Sequence, residues 1–341
     1  MAIRKDILAI LAAGVLWGTL SPAGKHLSNL GTDMLTVAFL RAVVMSCGVS
    51  AFLAFWFPSA FRVSRRQLLQ LSAISGICIV GIYAGFFFSL HYLSVPMAVV
   101  IFFTHPLMTA MGSLAITRER PSRYQVGGAL LTLLGVAIAV VPTNAAFSEH
   151  IHPLGVFWSL FSAVAMALYS LVGRLSSQTG FVSQPTLFVY VQIIGVFWLG
   201  LIKTLSTGWG DLPTLSAEQF GWILYVGLFA SMFSYSIYFY SLRTIQAPTA
   251  SIVSSIEIVT AFSLSALLLS LPPAPQEILG AALIIVAIIL AAMGETRRTG
   301  EHAKGRPPAF GRPRKTACSD STQAPEAGAQ NPDPCLPCRK D

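Results

Sequence analysis

The chain has 341 residues, of which 54% are hydrophobic and only 11% charged, with a formal net charge of +8 and a mean hydropathy of +0.68. Soluble globular domains carry about 25% charged residues, so this composition excludes a water-facing enzyme or binding module. The surplus of positive charge does not point to nucleic acid, because it collects on one side of a series of apolar blocks.

Ten such blocks follow one another, at about 7–27, 34–57, 68–92, 96–116, 125–142, 154–173, 186–206, 220–241, 249–271 and 277–293. Most approach the ~20 residues that a helix needs to cross the hydrocarbon of a bilayer. A transmembrane β-barrel would show short alternating segments instead. The expected fold class is an all-α polytopic membrane protein with ten transmembrane helices. The first block follows "MAIRKD" like a signal peptide, but it contains Trp17 and Pro22 and precedes nine more spans, so it reads as the first helix. With the N-terminus inside, ten Lys/Arg of the internal segments and nine of the tail fall in the cytoplasm, 19 of the 22. Lys25 and Lys203 fall outside, and Arg41 lies within the second span. That asymmetry predicts cytoplasmic N- and C-termini, in a multi-pass protein of a bacterial inner (cell) membrane.

In chain order, the first span carries Gly14-x-x-x-Gly18, Trp17 and, at its outer end, Lys25. The glycine pair reads as a packing surface, as does Gly81-x-x-x-Gly85 in the third span. Trp17 either walls a cavity or packs. Lys25 either attracts an anionic group or snorkels to the interface. Arg41 reads as a structural partner for a carbonyl or carboxylate. Cys47 and Cys78 read as small packing residues. Tyr83, Tyr169, Tyr235 and Tyr238 are candidate wall residues in the third, sixth and eighth spans. The fourth span holds His105 and Pro106 in the middle of "VVIFFTHPLMTAM", and the ninth holds Glu257. An ionisable group at the bilayer centre costs ~2.5–3.5 kcal/mol on the insertion scale, so both should face the protein interior. They could line a wet cavity or hydrogen-bond across a helix interface. Pro106 frees a carbonyl one turn back, which a neighbour, water or substrate must satisfy. His150 and His152 read as solvated loop histidines. Residues 294–341 read as a disordered basic cytoplasmic tail, and its lone Cys335-x-x-Cys338 lacks two further zinc ligands.

"FFFSLHYLSVPMA" (86–98) and "YFYSLRTIQAPTA" (238–250) share five identities at an offset of 152. Gly128 matches Gly280 at the same offset, and Gly24-Lys25 matches Gly173-Arg174 at 149. The chain therefore reads as two five-helix repeats, 7–142 and 154–293. Five is odd, so the second repeat is inverted in the membrane, a hallmark of secondary transporters that bind near midplane where the halves meet. At offset 152, His105 maps onto Glu257.

"LAAGVLWGTLSPAGKHL" with the following "FLRAVV", and "FTHPLMTAMGSLAITRER" with "QVGGALLTLLGVAIAV", resemble the EamA family of the drug/metabolite transporter superfamily. The resemblance covers about 7–293. It implies small-metabolite transport by alternating access through a cavity lined mainly by helices 1, 3, 4, 6, 8 and 9, and it favours export. Pro106 and Glu119 match the Pro and the terminal acid usual in the fourth helix, whereas Leu271 stands where a second Glu would be.

A zinc protease would show H-E-x-x-H, which is absent, and no paired nucleophile or acid dyad marks another intramembrane enzyme. A channel would show a selectivity filter or rings of like charge. Within transporters, a sugar-phosphate or nucleotide-sugar carrier would place several basic groups deep in the bundle. The substrate-binding candidates are Glu257, His105, Lys25, Trp17, Tyr83 and Tyr238. They would suit a small polar metabolite such as an amino acid, or an organic cation paired with Glu257. The expected partners are that substrate, the lipid bilayer and, through Glu257, protons. No cofactor, metal or nucleic acid is expected, and no oligomeric state is indicated.

Overall fold

The computed structural model describes residues 2–140, 152–269 and 274–303, and every regular element among them is helical. Ten helices are long and apolar enough to span a membrane. They are α1 (Lys5–Asn29), α2 (Met34–Trp56), α3 (Arg65–Ser89), α4 (Met97–Ala115), α5 (Arg123–Val140), α6 (Pro153–Thr179), α7 (Gln184–Ser206), α8 (Ala217–Ser241), α9 (Ala247–Leu264) and α10 (Pro275–Arg298).

Side chains set the helix starts by satisfying orphan backbone donors. Asp33 accepts from the Leu35 and Thr36 amides at α2, and Ser183 from Thr186 at α7. Ser64 with Gln67 and Ser216 with Gln219 form reciprocal capping boxes at α3 and α8. Both helices begin three residues before the apolar blocks, because a polar first turn is invisible to hydropathy. At the other end, the final helix runs on through Ala303. The tail expected from 294 therefore starts later. Glu295, fully buried, accepts from Thr249 (2.8 Å) and Arg298 (2.6 Å), and these partners carry the helix past its apolar stretch. The rest of the tail with Cys335 and Cys338, the connection holding His150, and Leu271 lie outside the described residues.

The packing is paired. The helices α5 and α10 lie together, as do α4 and α9, and α2 and α7. Each remaining major contact has a counterpart with the five-helix sets exchanged: α1 on α8 and α6 on α3, α1 on α9 and α6 on α4, α2 on α8 and α7 on α3. One face of the bundle carries the N-terminus, where Thr244 donates to Asp6 (2.6 Å). The opposite face carries the α1–α2 and α7–α8 connections, joined by a clamp on Lys203. This lysine is fully buried in α7, and its Nζ lies 3.3 Å from Asp33 and 3.1 Å from Asp211, with Thr36 also bonded to it.

Four helices are interrupted in matched positions. The helices α3 and α8 contain π-helical turns at Val80–Gly85 and Leu228–Phe233. The helix α4 breaks between Phe102 and His105, and α9 breaks at Ser255.

Two tests follow from this framework. Reporter fusions after residue 295 and within 117–123 should both report cytoplasm, and fusions within 143–152 the outside. A periplasmic signal at 295 would overturn the topology expected from the basic residues. For the clamp, burial raises the Asp33 and Asp211 carboxyls, but hydrogen bonds from Thr36 and Lys203 outweigh it and hold both below the ordinary 3.8. A depressed folded pKa contributes stability that is present above the ordinary value and lost as pH falls through the lower folded one. Thermal stability should therefore fall as pH drops below about 3.8, and Lys203→Met should lower the starting melting temperature and flatten that acid limb. An unchanged acid limb in Lys203→Met would exclude the clamp.

Candidate functional site

The breaks in α4 and α9 fall at one register. Phe103 and Thr104 separate the halves of α4, and His105 opens the second half; 152 residues on, Ser255 separates the halves of α9, and Glu257 stands in the first turn of its second half. Pro106 therefore sits in the first turn of a restarting helix, where its missing N–H costs nothing. In α9, serines take the role of proline: Ser254 and Ser255 both donate to the Ser251 carbonyl, competing with the helical ladder. Two half-helix N-termini thus start inside the bundle, and their positive dipole ends favour negative charge. The helix α1 reaches this point through its glycines. A Cβ on Gly14 would lie 2.8 Å from the Ser254 carbonyl, and one on Gly18 2.7 Å from the Glu257 carbonyl. The expected packing role of Gly14-x-x-x-Gly18 is thus focused on the α9 break.

His105 and Glu257 have different surroundings. His105 is 2% exposed, and its Nδ1 shares a hydrogen bond with Ser251 of α9 at 2.9 Å. It occupies the α4–α9 interface. The position that mirrors Ser251 is Val99, which offers Glu257 no hydroxyl. Glu257 is partly exposed and lies within electrostatic range of the fully buried Tyr238.

The aromatic candidates converge. The Trp17 ring lies 4.8 Å from that of Tyr235 and 5.1 Å from that of Tyr238, and the rings of Tyr235 and Tyr169 are 5.9 Å apart. Tyr83 adjoins Tyr235, and its ring is covered by the Arg41 guanidinium at 4.3 Å. The Tyr238 hydroxyl is bonded to Ser170 (2.8 Å), and the Tyr169 hydroxyl accepts from Gln192 (2.9 Å). Trp17, Tyr83, Tyr169, Tyr235, Tyr238 and Glu257 thus form one connected wall, with Arg41 at its other end. Lys25 is not part of it: it is exposed, two turns beyond Gly18. Arg41 has no carboxylate or carbonyl partner among the described residues, contrary to the structural pairing expected for it, because the element facing it supplies the Tyr83 ring instead.

Arg174, counted with the basic border on sequence alone, is 7% exposed. Its guanidinium grips Glu119 with Nη2–Oε1 at 2.6 Å and Nε–Oε1 at 3.2 Å, and Nη1 donates to the Leu242 and Arg243 carbonyls at 3.0 and 2.9 Å. One side chain therefore ties α6 to the segment after α4 and to the end of α8, on the N-terminal face. Glu119 pairs with a base from the other five-helix set; hydropathy hid this, because Arg174 and Glu119 lie 55 residues apart and each borders a polar stretch.

The sequence profile of the EamA-like transporter family matches residues 4–141 and again 153–293. The uncharacterized inner membrane transporter YicL of Salmonella typhimurium is 25% identical over 301 residues, covering 86% of this chain and 97% of its own length. An uncharacterized transporter of Clostridium kluyveri is 23% identical over 304 residues, covering 84% of this chain and 93% of its own. A solved crystal structure superposes with a TM-score of 0.73 at 17% identity, covering 86% of this chain and 99% of its own, and so shares the fold.

Removing one partner of a buried ion pair strands the other. Arg174→Met or Glu119→Gln should each cost about 3–5 kcal/mol of stability, read as a large drop in the melting temperature of the detergent-purified protein. The double replacement should recover part of it. A double variant as unstable as the sum of the singles would show that the two side chains act independently.

Proposed function

The chain belongs to the EamA-like transporter family, and on that premise we propose that it is a secondary transporter exporting a small polar metabolite by alternating access. It is a multi-pass membrane transporter. On the proposed reading, the five-helix repeats 7–142 and 154–293 are inverted relative to each other, and the substrate binds near midplane at the wall that runs from Trp17 and Tyr83 to Tyr238 and Glu257. The observation that carries the reading is Glu257, a partly exposed acid on a broken helix with no hydrogen-bond or ion-pair partner among the described residues. A carboxylate in the membrane interior needs a partner. A passing polar substrate or a proton supplies one and then leaves.

His105 contributes differently from its mate. Bonded to Ser251, it holds α4 against α9 where both are broken, and a change in that contact would move the site walls. Arg174 and Glu119 close the N-terminal face across the two repeats, and this closure must open in the other half of the cycle. Lys25, exposed on the opposite face, attracts anions without reaching the wall. An intramembrane enzyme needs a nucleophile or acid pair in reach of a scissile bond, and this wall offers one acid among phenols. A channel needs a continuous lining rather than a central wall closed by an ion pair. Of the possible couplings, proton coupling suits a single acid in this position.

The test compares metabolites inside and outside cells with and without the protein. At least one polar metabolite should shift to the medium with the wild type. Glu257→Gln should reduce that shift roughly tenfold or more, at near-normal membrane expression, since a charge-assisted hydrogen bond is worth ~1.5–3 kcal/mol. Full export by Glu257→Gln at every pH tried would remove Glu257 from binding and coupling alike.

A further inference from the structure

The charged side chains that penetrate the bundle fall into two groups. Arg174 with Glu119, Lys203 with Asp33 and Asp211, and Glu295 with Arg298 are ion-paired, and all lie toward the helix ends. Arg41 and Glu257 are not paired, among the described residues, and both lie well inside their spans. Arg41 stands two turns into α2. It is partly exposed, and its Nε is buried with no acceptor among the described residues. A second buried donor without an acceptor belongs to the same wall: Nε1 of Trp17, a residue only 4% exposed. Buried donors are nearly always satisfied, and a guanidinium in the membrane interior needs an anion or carbonyls around it. With the Tyr83 hydroxyl, also buried without a partner, three donors left open in one connected aromatic cluster call for an acceptor that the described residues do not supply.

We propose that Arg41 is the anion anchor of the substrate site, taking a single carboxylate with the help of the Trp17 indole N–H, while Glu257 takes the substrate's cationic group at the far end of the wall. This rests on the reading of Glu257 as a site residue. The substrate is then a small zwitterion, and the two rival chemistries are disfavoured for stated reasons. A sugar phosphate or nucleotide sugar brings two or more negative charges, but the wall holds one guanidinium and no lysine; Lys25 is outside it and Lys203 is spent on two aspartates. A simple organic cation would satisfy Glu257 but leave Arg41 and Trp17 open. The planar fork of Arg matches a carboxylate bidentately, which Lys cannot reproduce. Stacking over Tyr83 holds the fork in place without neutralising it, so it is already aimed when the substrate arrives.

The variants Arg41→Gln and Arg41→Lys test this, expressed as full-length protein and compared with wild type in the same untargeted comparison of medium and cell metabolites. Melting temperature is measured in parallel. Metabolites that the wild type moves to the medium should carry both a carboxylate and an amine. Arg41→Gln should cut their export roughly ten- to hundredfold, in line with the loss of a charge-assisted pair. Arg41→Lys should retain a minor fraction, and both variants should melt close to the wild-type temperature, because only the stack on Tyr83 is lost and no charged protein partner is stranded. Export of compounds that are neutral or only cationic, or wild-type export by Arg41→Gln, would overturn the proposal and leave the transport reading intact. An Arg41→Gln protein that loses its fold would show that the side chain bears a structural load, which also overturns it. If no metabolite responds to the wild-type protein, the transport reading falls and this inference with it.

Discussion

Hydrocarbon does not tolerate an unpartnered charge, and the placement of charge within this bundle follows from that constraint. Where a charge has to be held permanently, the chain supplies its counter-charge: Glu119 for Arg174, and Asp33 with the nearby Asp211 for Lys203. These pairs lie toward the two faces, where the desolvation cost is lowest and where they can tie helices of different repeats together. Among the described residues the rule is broken twice in the interior, by Arg41 and by Glu257. Departures from an otherwise consistent rule concentrate at functional sites. Here both departures border one aromatic wall, joined through Tyr83, Tyr235, Trp17 and Tyr238.

The two repeats have kept their architecture and diverged in chemistry. The caps at Ser64 and Ser216, the π-helical turns and the breaks in α4 and α9 recur at nearly the same spacing. The chemistry at the breaks does not recur. His105 finds the hydroxyl of Ser251, while the position mirroring Ser251 is Val99 and Glu257 has no hydrogen-bond partner among the described residues. Arg174 finds Glu119 on one face, while Lys25, which matches Arg174 at an offset of 149, is exposed on the other. One half of each pair is satisfied by the fold, and its mate is not.

The ten spans and the repeat were legible in the sequence because hydropathy and a fixed offset survive without any tertiary information. The positions of His105 and Glu257 followed from the same offset. Helix ends were less legible at α3 and α8, whose first turns are polar, and at α10, whose last turns depend on Glu295 finding Thr249 and Arg298. The aromatic wall was legible as a set of candidates but not as a contiguous surface. The surroundings of Arg174 and Arg41 were illegible for opposite reasons. Arg174 sits at a span's basic edge yet is buried by a partner from elsewhere in the chain. Arg41 sits inside a span, where a protein partner is the ordinary expectation, and among the described residues it meets the Tyr83 ring and no carboxylate. Which charges are paired is a property of the fold, and no local pattern carries it.

On the proposed reading, Arg41 and Glu257 are kept apart in the protein and are joined only through what it carries. A double-mutant cycle on Arg41→Gln and Glu257→Gln measures this directly when thermal stability and metabolite export are read on the same four proteins. The account predicts additive effects on stability, since the two side chains share no contact, together with strong coupling in export, where the double variant is no worse than either single one. Coupling in stability with additive effects on export would mean that the two charges support each other within the fold, and would contradict it.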